Sequence, residues 1–241
     1  MEFPFSTSPE QVGGGTLVSY VSLESGSGAS TLACMHALYS AESTETALLD
    51  LDPASKVRAY TGLPVDVSSA SVIDLNGVTE AKSIYSAGEE IGSNLYVYPG
   101  ITRLMDAPQI DANLCLKSAT FLKQSFKKSI AVAGPIYGPC WIALLQSDLI
   151  CVVVTPDRIN IDVFKDGMDY LSRLGCGERT KIILNQLGIP GGIRDDDIQK
   201  SFSHDYVISY DRAIRQGCNR RKLQLTKPLI QMFDALGKEG I

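Results

Sequence analysis

The sequence lacks an excess of positive charge. Its 22 Lys and Arg residues stand against 27 Asp and Glu, a formal net charge of −5 over 241 residues. Net charge therefore excludes a whole-chain, non-specific polyanion binder and leaves only local basic patches. The sequence also lacks C-x-x-C pairs. Its six cysteines, Cys34, Cys115, Cys140, Cys151, Cys176 and Cys218, are scattered, two of them in strongly apolar runs. They read as reduced core thiols of a cytoplasmic protein, not as a disulfide framework or a metal site. No stretch approaches the roughly 20 apolar residues of a membrane span, and Met1 to Gly15 holds no apolar signal core. Neither export nor insertion is expected. No Pro/Gly/Ser or single-sign tract marks a disordered chain, and 44% hydrophobic against 20% charged residues leaves ample side chain to bury. The expectation is a soluble cytoplasmic protein, with 1–15 an N-terminal tail and 16–241 one α/β domain, a size such domains commonly reach.

What is present is an alternation of short β-branched or apolar runs with longer amphipathic ones. The short runs predict strands over Thr16–Leu23, Thr46–Leu51, Asn94–Tyr98, Ser129–Ala133, Leu149–Thr155, Lys181–Asn185 and Tyr206–Ser209. The segments between them predict helices over Ser30–Ala41, Gln109–Lys128, Cys140–Ser147, Ile161–Leu174, Asp195–Phe202, Arg212–Gly217 and Pro228–Leu236. Ile150–Val154 is apolar at every position, as a strand buried on both faces requires. Such alternation predicts a doubly wound, mostly parallel sheet flanked by helices. Val57–Ser93 is the least regular stretch and is expected to form surface helices and loops.

The 21 glycines bunch at two places. Directly after the first strand comes Glu24-Ser25-Gly26-Ser27-Gly28-Ala29-Ser30-Thr31, followed by the helix-like Leu32-Ala33-Cys34-Met35-His36-Ala37-Leu38. A strand, a small flexible loop, a hydroxyl pair and a helix form the layout in which backbone N–H groups and a helix N-terminus cradle phosphates. A plain Gly/Ser turn that caps a helix has the same outline, and the lysine slot of G-x-x-x-x-G-K-[ST] holds Ala29. The second bunch, Gly188-Ile189-Pro190-Gly191-Gly192, is a candidate loop for closing over the first. Between them, Ala47–Pro53 ends a buried strand with Asp50 and Asp52 at i and i+2. That spacing puts both carboxylates on one face at the strand's C-terminal end, where open α/β sheets bind ligands.

These two motifs, at this separation, resemble the MinD/ParA family of deviant Walker A P-loop proteins (SIMIBI class), whose loop reads K-G-G-x-G-K-[ST]-T and whose next strand ends in D-x-D-P. Ser129–Pro135 is similar to the family's Walker B strand, and Leu144–Asp157 to its next helix and strand. Ile182-Ile183-Leu184-Asn185 resembles the strand whose Asn reads adenine, and Ile208–Leu223 the loop beside the base. The resemblance implies a P-loop NTPase-like fold and ATP or ADP with Mg²⁺ as cofactors. It places Gly26, Ser27, Gly28, Ala29, Ser30 and Thr31 around the phosphates, with Asn185 and Tyr210 at the base. Ser30 falls in the Mg²⁺-ligand slot, Asp50 in its outer shell, and Asp52 where the attacking water is oriented.

The resemblance also implies three losses. The family's two loop lysines fall on Glu24 and Ala29, and its Walker B aspartate on Ala133. Those lysines stabilise the spread charge of phosphoryl transfer. A unit charge about 4 Å away is worth roughly 4 kcal/mol at an effective dielectric of 20, so Glu24 is expected to oppose a triphosphate. The implied function is a weak or non-hydrolysing nucleotide binder, a pseudo-ATPase with a vestigial Asp52. At the limit it holds no cofactor at all. It would act with a protein partner in localising or assembling a pilus, secretion or cell-organisation machine, as TadZ/CpaE-like members do, and be recruited by that partner to the inner face of the membrane.

Two alternatives stay open. One is a genuine Mg-ATPase with nucleotide-dependent homodimerisation, its replacement cation drawn from Arg58, Arg103 or Arg194. The other is a ParA-like DNA-binding partition protein using Asn219-Arg220-Arg221-Lys222, with Arg212 and Arg215 just before; the acidic total favours a solvated face for that run. His36 reads as a core histidine and His204 as a loop residue. In Thr226–Gly237, Leu229, Phe233 and Leu236 share one helix face, expected to pack on the domain in preference to a membrane.

Overall fold

The structure, a computed structural model, describes residues 14–54, 56–64, 70–201 and 203–239. Most of the expected tail, as well as Phe202, lies outside the described residues. Within them, eight strands form one sheet in the order β3-β4-β2-β5-β1-β6-β7-β8. These are β1 Thr16–Ser22, β2 Thr46–Asp50, β3 Glu89–Ile91, β4 Leu95–Tyr98, β5 Lys128–Pro135, β6 Leu149–Val154, β7 Thr180–Leu187 and β8 Tyr206–Ser209. All neighbours run parallel except β3, which pairs antiparallel with β4. The expected doubly wound, mostly parallel sheet is present.

The pleat divides the core into two layers. In β1, Val18 and Tyr20 face one side and Leu17 and Val21 the other; in β6, Cys151 and Val153 oppose Ile150, Val152 and Val154. All six β6 residues are buried, which is why that run is apolar at each position. Helices α1 Ala29–Ala41, α2 Val57–Thr61, α7 Arg212–Asn219 and α8 Lys227–Gly237 contribute side chains to the Val18/Tyr20 layer. Helices α3 Ala112–Ser125, α4 Trp141–Gln146, α5 Arg158–Arg173 and α6 Asp195–Ser201 contribute to the other.

Some boundaries differ from expectation. Helix α3 begins at Ala112, not Gln109, because Asp111 caps it by accepting from Leu114 N at 2.8 Å, while Leu104–Gln109, containing Pro108, forms a separate 3₁₀ turn. The helix stops at Ser125 and Lys128 opens β5. Helix α5 starts three residues earlier than its apolar pattern, where Asp157 accepts from Asn160 N at 2.9 Å.

Helix α8 packs on the domain. Leu229, Phe233 and Leu236 are buried, and the Phe233 ring stacks on His36 with centroids 4.6 Å apart and planes 3° from parallel. The Tyr20 hydroxyl lies 2.9 Å from His36 Nδ1. His36 is thus a buried core histidine, and burial pushes its pKa well below the usual imidazole value.

Candidate functional site

The C-terminal end of β1 runs into the glycine loop, and the loop's shape depends on residues with left-handed backbone. Gly26 (φ 91°) and Gly28 (φ 96°) occupy conformations that disfavour any Cβ. Gly28 is the N-cap of α1 and supplies no side chain to cap it, so the first-turn N–H groups of a 13-residue helix point into the space ahead of it. A Cβ on Gly28 would fall on Asn185 Nδ2. That side chain, at the end of β7, donates to the Ser27 carbonyl at 2.7 Å. Its neighbour Gln186, at φ 62°, donates to the Gly26 carbonyl at 3.5 Å. The β7 terminus therefore braces the loop from outside. Ser27 is 1% exposed, and its hydroxyl has no hydrogen-bond partner. A buried orphan hydroxyl costs about 1–3 kcal/mol unless something satisfies it.

Above the loop lies a cleft of about 530 Å³. Gly26 through Thr31, Asp52, Asn185 and Tyr210 all line it, so the fold gathers residues from four separate segments at one mouth. Asp52 sits against Gly134, whose added Cβ would meet Asp52 Cβ at 3.1 Å, and it accepts from Ala54 N at 2.9 Å. Tyr60 of α2 closes the cleft over α1: the Thr31 hydroxyl donates to its hydroxyl at 3.4 Å, which also meets the Cys218 thiol of α7. Asp50 is not a lining residue. It is 1% exposed, and its carboxylate accepts from Gly100 N at 3.1 Å and from Asp52 N at 3.2 Å. Ala133 is buried in the apolar core, where it offers no oxygen.

This parallel sheet with a backbone-lined cleft at its β1–α1 turn was compared with known proteins. No family model matches the chain, and no curated protein matches its sequence. Solved structures match over nearly the whole length. A ParA family ATPase from Chlorobium tepidum superposes with a TM-score of 0.78 at 17% identity, covering 92% of this chain and 98% of that one. The septum site-determining protein MinD of Pyrococcus horikoshii, complexed with Mg-ADP, gives 0.76 at 19% identity, covering 92% and 96%. MinD in the Aquifex aeolicus MinC:MinD cell division complex gives 0.74 at 16%, covering 94% and 97%. The fold is that of the MinD/ParA ATPases.

On this MinD/ParA fold, several expectations about charge change. Glu24 is not among the residues that line the cleft; it lines a separate cavity of about 260 Å³ with Tyr137, Asp166 and Tyr170. Arg58 is not a replacement cation. It is 7% exposed, and it donates to the carbonyls of Gly100 at 3.1 Å, Pro64 at 3.2 Å, and Ala70, stapling the segment after β4 to α2; burial lowers its pKa. Arg103 is paired with Asp106 at 2.8 Å, and neither it nor Arg194 lines the cleft. The Gly188–Gly192 loop does not line it either. Ile189 N donates to Gln186 O at 3.0 Å and Ile193 N to Pro156 O at 2.8 Å, holding that loop against the β6–α5 connection.

The lining contains cations that the sequence reading did not single out for this role. Lys56, at the N-cap of α2, and Arg215, within α7, both line the cleft, as do the carboxylates of Asp52 and Asp211. Lys56 follows Asp52 by four residues, and Arg215 follows Asp211 by one helical turn. That placement is the only signal either carried, because neither belongs to a phosphate-binding motif. Among the described residues no group of three or more His, Cys, Asp or Glu forms a metal cluster, and no helix is long and apolar enough to cross a membrane.

Proposed function

We propose that this chain is a MinD/ParA-type protein that binds an adenine nucleotide, ADP or ATP, without turning it over at an appreciable rate. The observation that carries this reading is a braced backbone cradle with methyl groups where catalytic charge belongs. The Gly26–Gly28 loop and the uncapped α1 terminus supply neutral backbone donors for phosphate oxygens. Ala29 and Ala133 supply none of the charge that phosphoryl transfer needs. Mg²⁺, where present, would be held chiefly by the nucleotide's own phosphates and water, with the Ser30 hydroxyl beside them. Asp50 is engaged by two backbone N–H groups and would act at most from behind water. Asp52 keeps its place on the cleft wall as a vestige.

Such a protein acts by binding. Its partner is another protein, and the likeness to the TadZ/CpaE type suggests a cytoplasmic role in positioning or assembling a pilus, secretion or cell-organisation machine at the membrane. A second copy of the chain is the alternative partner. The exposed Arg220 and Arg221 at the end of α7 would carry the DNA-binding alternative, and a salt-sensitive DNA complex lost in Arg220→Ala/Arg221→Ala would support it.

Thermal unfolding with ADP or ATP, each with Mg²⁺, tests the reading directly. A ligand at 100 times its Kd stabilises the native state by about 2.7 kcal/mol. Stabilisation by both nucleotides, together with phosphate release no faster in wild type than in Asp52→Ala, is the expected result. A clear Asp52-dependent rate would establish an active ATPase instead. No stabilisation by either nucleotide would leave an empty cleft.

A further inference from the structure

The cleft has lost its loop cations yet retains two others from elsewhere in the chain. Lys56 and Arg215 reach it from α2 and α7, helices far apart in sequence that meet over α1 at the Tyr60 hydroxyl, the Thr31 hydroxyl and the Cys218 thiol. Neither cation is engaged in an ion pair among the described residues, whereas Lys123, Lys181, Arg103, Arg158 and Arg173 all are. Arg58, the arginine of α2, is consumed by three backbone carbonyls. Lys56 and Arg215 enter the lining after β2 and β8, strands on opposite sides of β1. The Asp52 and Asp211 carboxylates in the same lining each accept from a nearby backbone N–H, which leaves the two cations to meet a polyanion above the uncapped helix terminus.

We propose that Lys56 and Arg215 are the charge partners of the bound nucleotide's phosphates, replacing from the walls the charge that Ala29 does not provide from the loop. This rests on the nucleotide reading above and assigns the residues that give it affinity. The two cations play different parts. Lys56 follows the β2 terminus and Asp52, and Arg215 follows β8 and the Asp211 cap of α7. A ligand lying along α1's first turn would have one cation at each flank and backbone donors beneath. The side chains are long and solvated, so their contribution is screened by salt and is expected to weaken as ionic strength rises. A lysine rooted in the loop would be far less sensitive. The geometry thus points to a salt-dependent binder of a nucleoside di- or triphosphate, in which charge supports affinity and not turnover.

Calorimetric titration of Mg-ADP into the full chain at low and high salt tests this, with Lys56→Ala, Arg215→Ala, the double variant and Lys165→Ala, at an exposed position of α5, as a charge-matched control outside the cleft lining. Each single cleft variant should weaken binding by about fivefold to tenfold, the range expected for a partly screened charged contact. The double variant should weaken it further and flatten the salt dependence, and Lys165→Ala should leave both unchanged. Far-UV circular dichroism and unliganded melting temperatures of all four variants should match wild type, because none of these side chains packs in the core. Wild-type binding with undiminished affinity in the double variant would overturn this assignment and leave the nucleotide reading standing. So would losses equalled by Lys165→Ala. Absence of wild-type binding at low salt would overturn both.

Discussion

At the N-terminal end of β1 the Leu17 N–H donates to Asp148 at 2.7 Å, and Asp148 also receives Lys123 Nζ at 2.8 Å. Lys123 donates in addition to the Gln146 carbonyl at 3.1 Å, and the hydroxyls of Ser19 and Ser147 share a hydrogen bond of 2.7 Å. At the C-terminal end of the same strand the pattern reverses. Among the described residues Ser27 has a buried hydroxyl without a partner, α1 has no side-chain cap, and the lining cations Lys56 and Arg215 are in no ion pair. The two ends share a sheet, a core and a degree of burial, so burial alone does not explain the difference. Polar groups at the first end, on Lys123, Asp148, Ser19 and Ser147, satisfy one another within the chain and hold it together, although among the described residues the Ser129 hydroxyl beside Leu17 is as unpaired as that of Ser27. Those at the second are set by backbone conformation for a group that the chain itself does not provide.

The largest test of that contrast falls at the paired end. Removing the acid in Asp148→Ala leaves the Lys123 ammonium, 5% exposed, without its carboxylate, and should cost about 3–5 kcal/mol in chemical denaturation, the penalty for an uncompensated buried charge. Lys123→Met, which removes the charge and keeps the apolar stem, should cost distinctly less. Nucleotide affinity, measured below the melting transition, should be unchanged in both. A loss of affinity matching the loss of stability would show that the two ends are not independent.

Next in size is Gly28→Ala. The substitution combines φ 96° with a methyl group placed on Asn185 Nδ2, and left-handed strain together with overpacking should cost about 2–4 kcal/mol. Either the loop or the Asn185 brace must move, so nucleotide binding should be lost outright. Retained binding would mean that the loop's shape is not what the ligand reads.

The layer beneath α1 gives a smaller, pH-dependent contrast. His36 is enclosed by Tyr20 and Phe233, and burial holds its folded-state pKa well below the ordinary value. Above pH of about 6.5, the pKa of an exposed imidazole, it is neutral in both folded and unfolded chains and its contribution is fully present. As pH falls through that value the unfolded chain takes up a proton that the folded chain refuses, so stability declines by up to about 1.4 kcal/mol per pH unit. Denaturation at pH 7.5, 6.5 and 5.5 should show this slope in wild type and not in His36→Asn. An unchanged slope in the variant would place the titration elsewhere.

Much of this architecture was readable from sequence for a physical reason. Six of the eight strands are runs whose apolar content follows from burial in a two-sided sheet, and β8, at one edge with only Ile208 buried, still shows as a short β-branched run. The exception, β3, is three residues long, carries Glu89 and Glu90, and lies at the sheet edge, where neither pattern nor burial leaves a mark. The glycine loop was readable because left-handed backbone selects glycine. The charge pattern of the cleft was not. Glu24 occupies a lysine slot in register, yet it lines another cavity, and Lys56 and Arg215 join the loop in one cleft lining only in the folded chain. Backbone conformation writes itself into local sequence, whereas the field in a cleft is assembled from segments more than 150 residues apart.

The finest distinction lies in one hydroxyl. In the unliganded protein the Ser27 Oγ is desolvated and unpaired, so Ser27→Ala should leave stability unchanged or raise it by about 1 kcal/mol, since deleting an unsatisfied polar group removes its desolvation penalty. The equivalent substitution at the other end, Ser19→Ala, removes half of a pair and should lower stability by about 1 kcal/mol. With Mg-ADP present the order at Ser27 should change if the loop shifts to bring this buried hydroxyl onto a phosphate oxygen, a bond the alanine variant cannot make. Paired melting curves with and without nucleotide read this directly. Destabilisation of the unliganded protein by Ser27→Ala would mean that the hydroxyl already serves the fold, and the asymmetry between the ends of β1 would then rest on the uncapped helix and its two flanking cations alone.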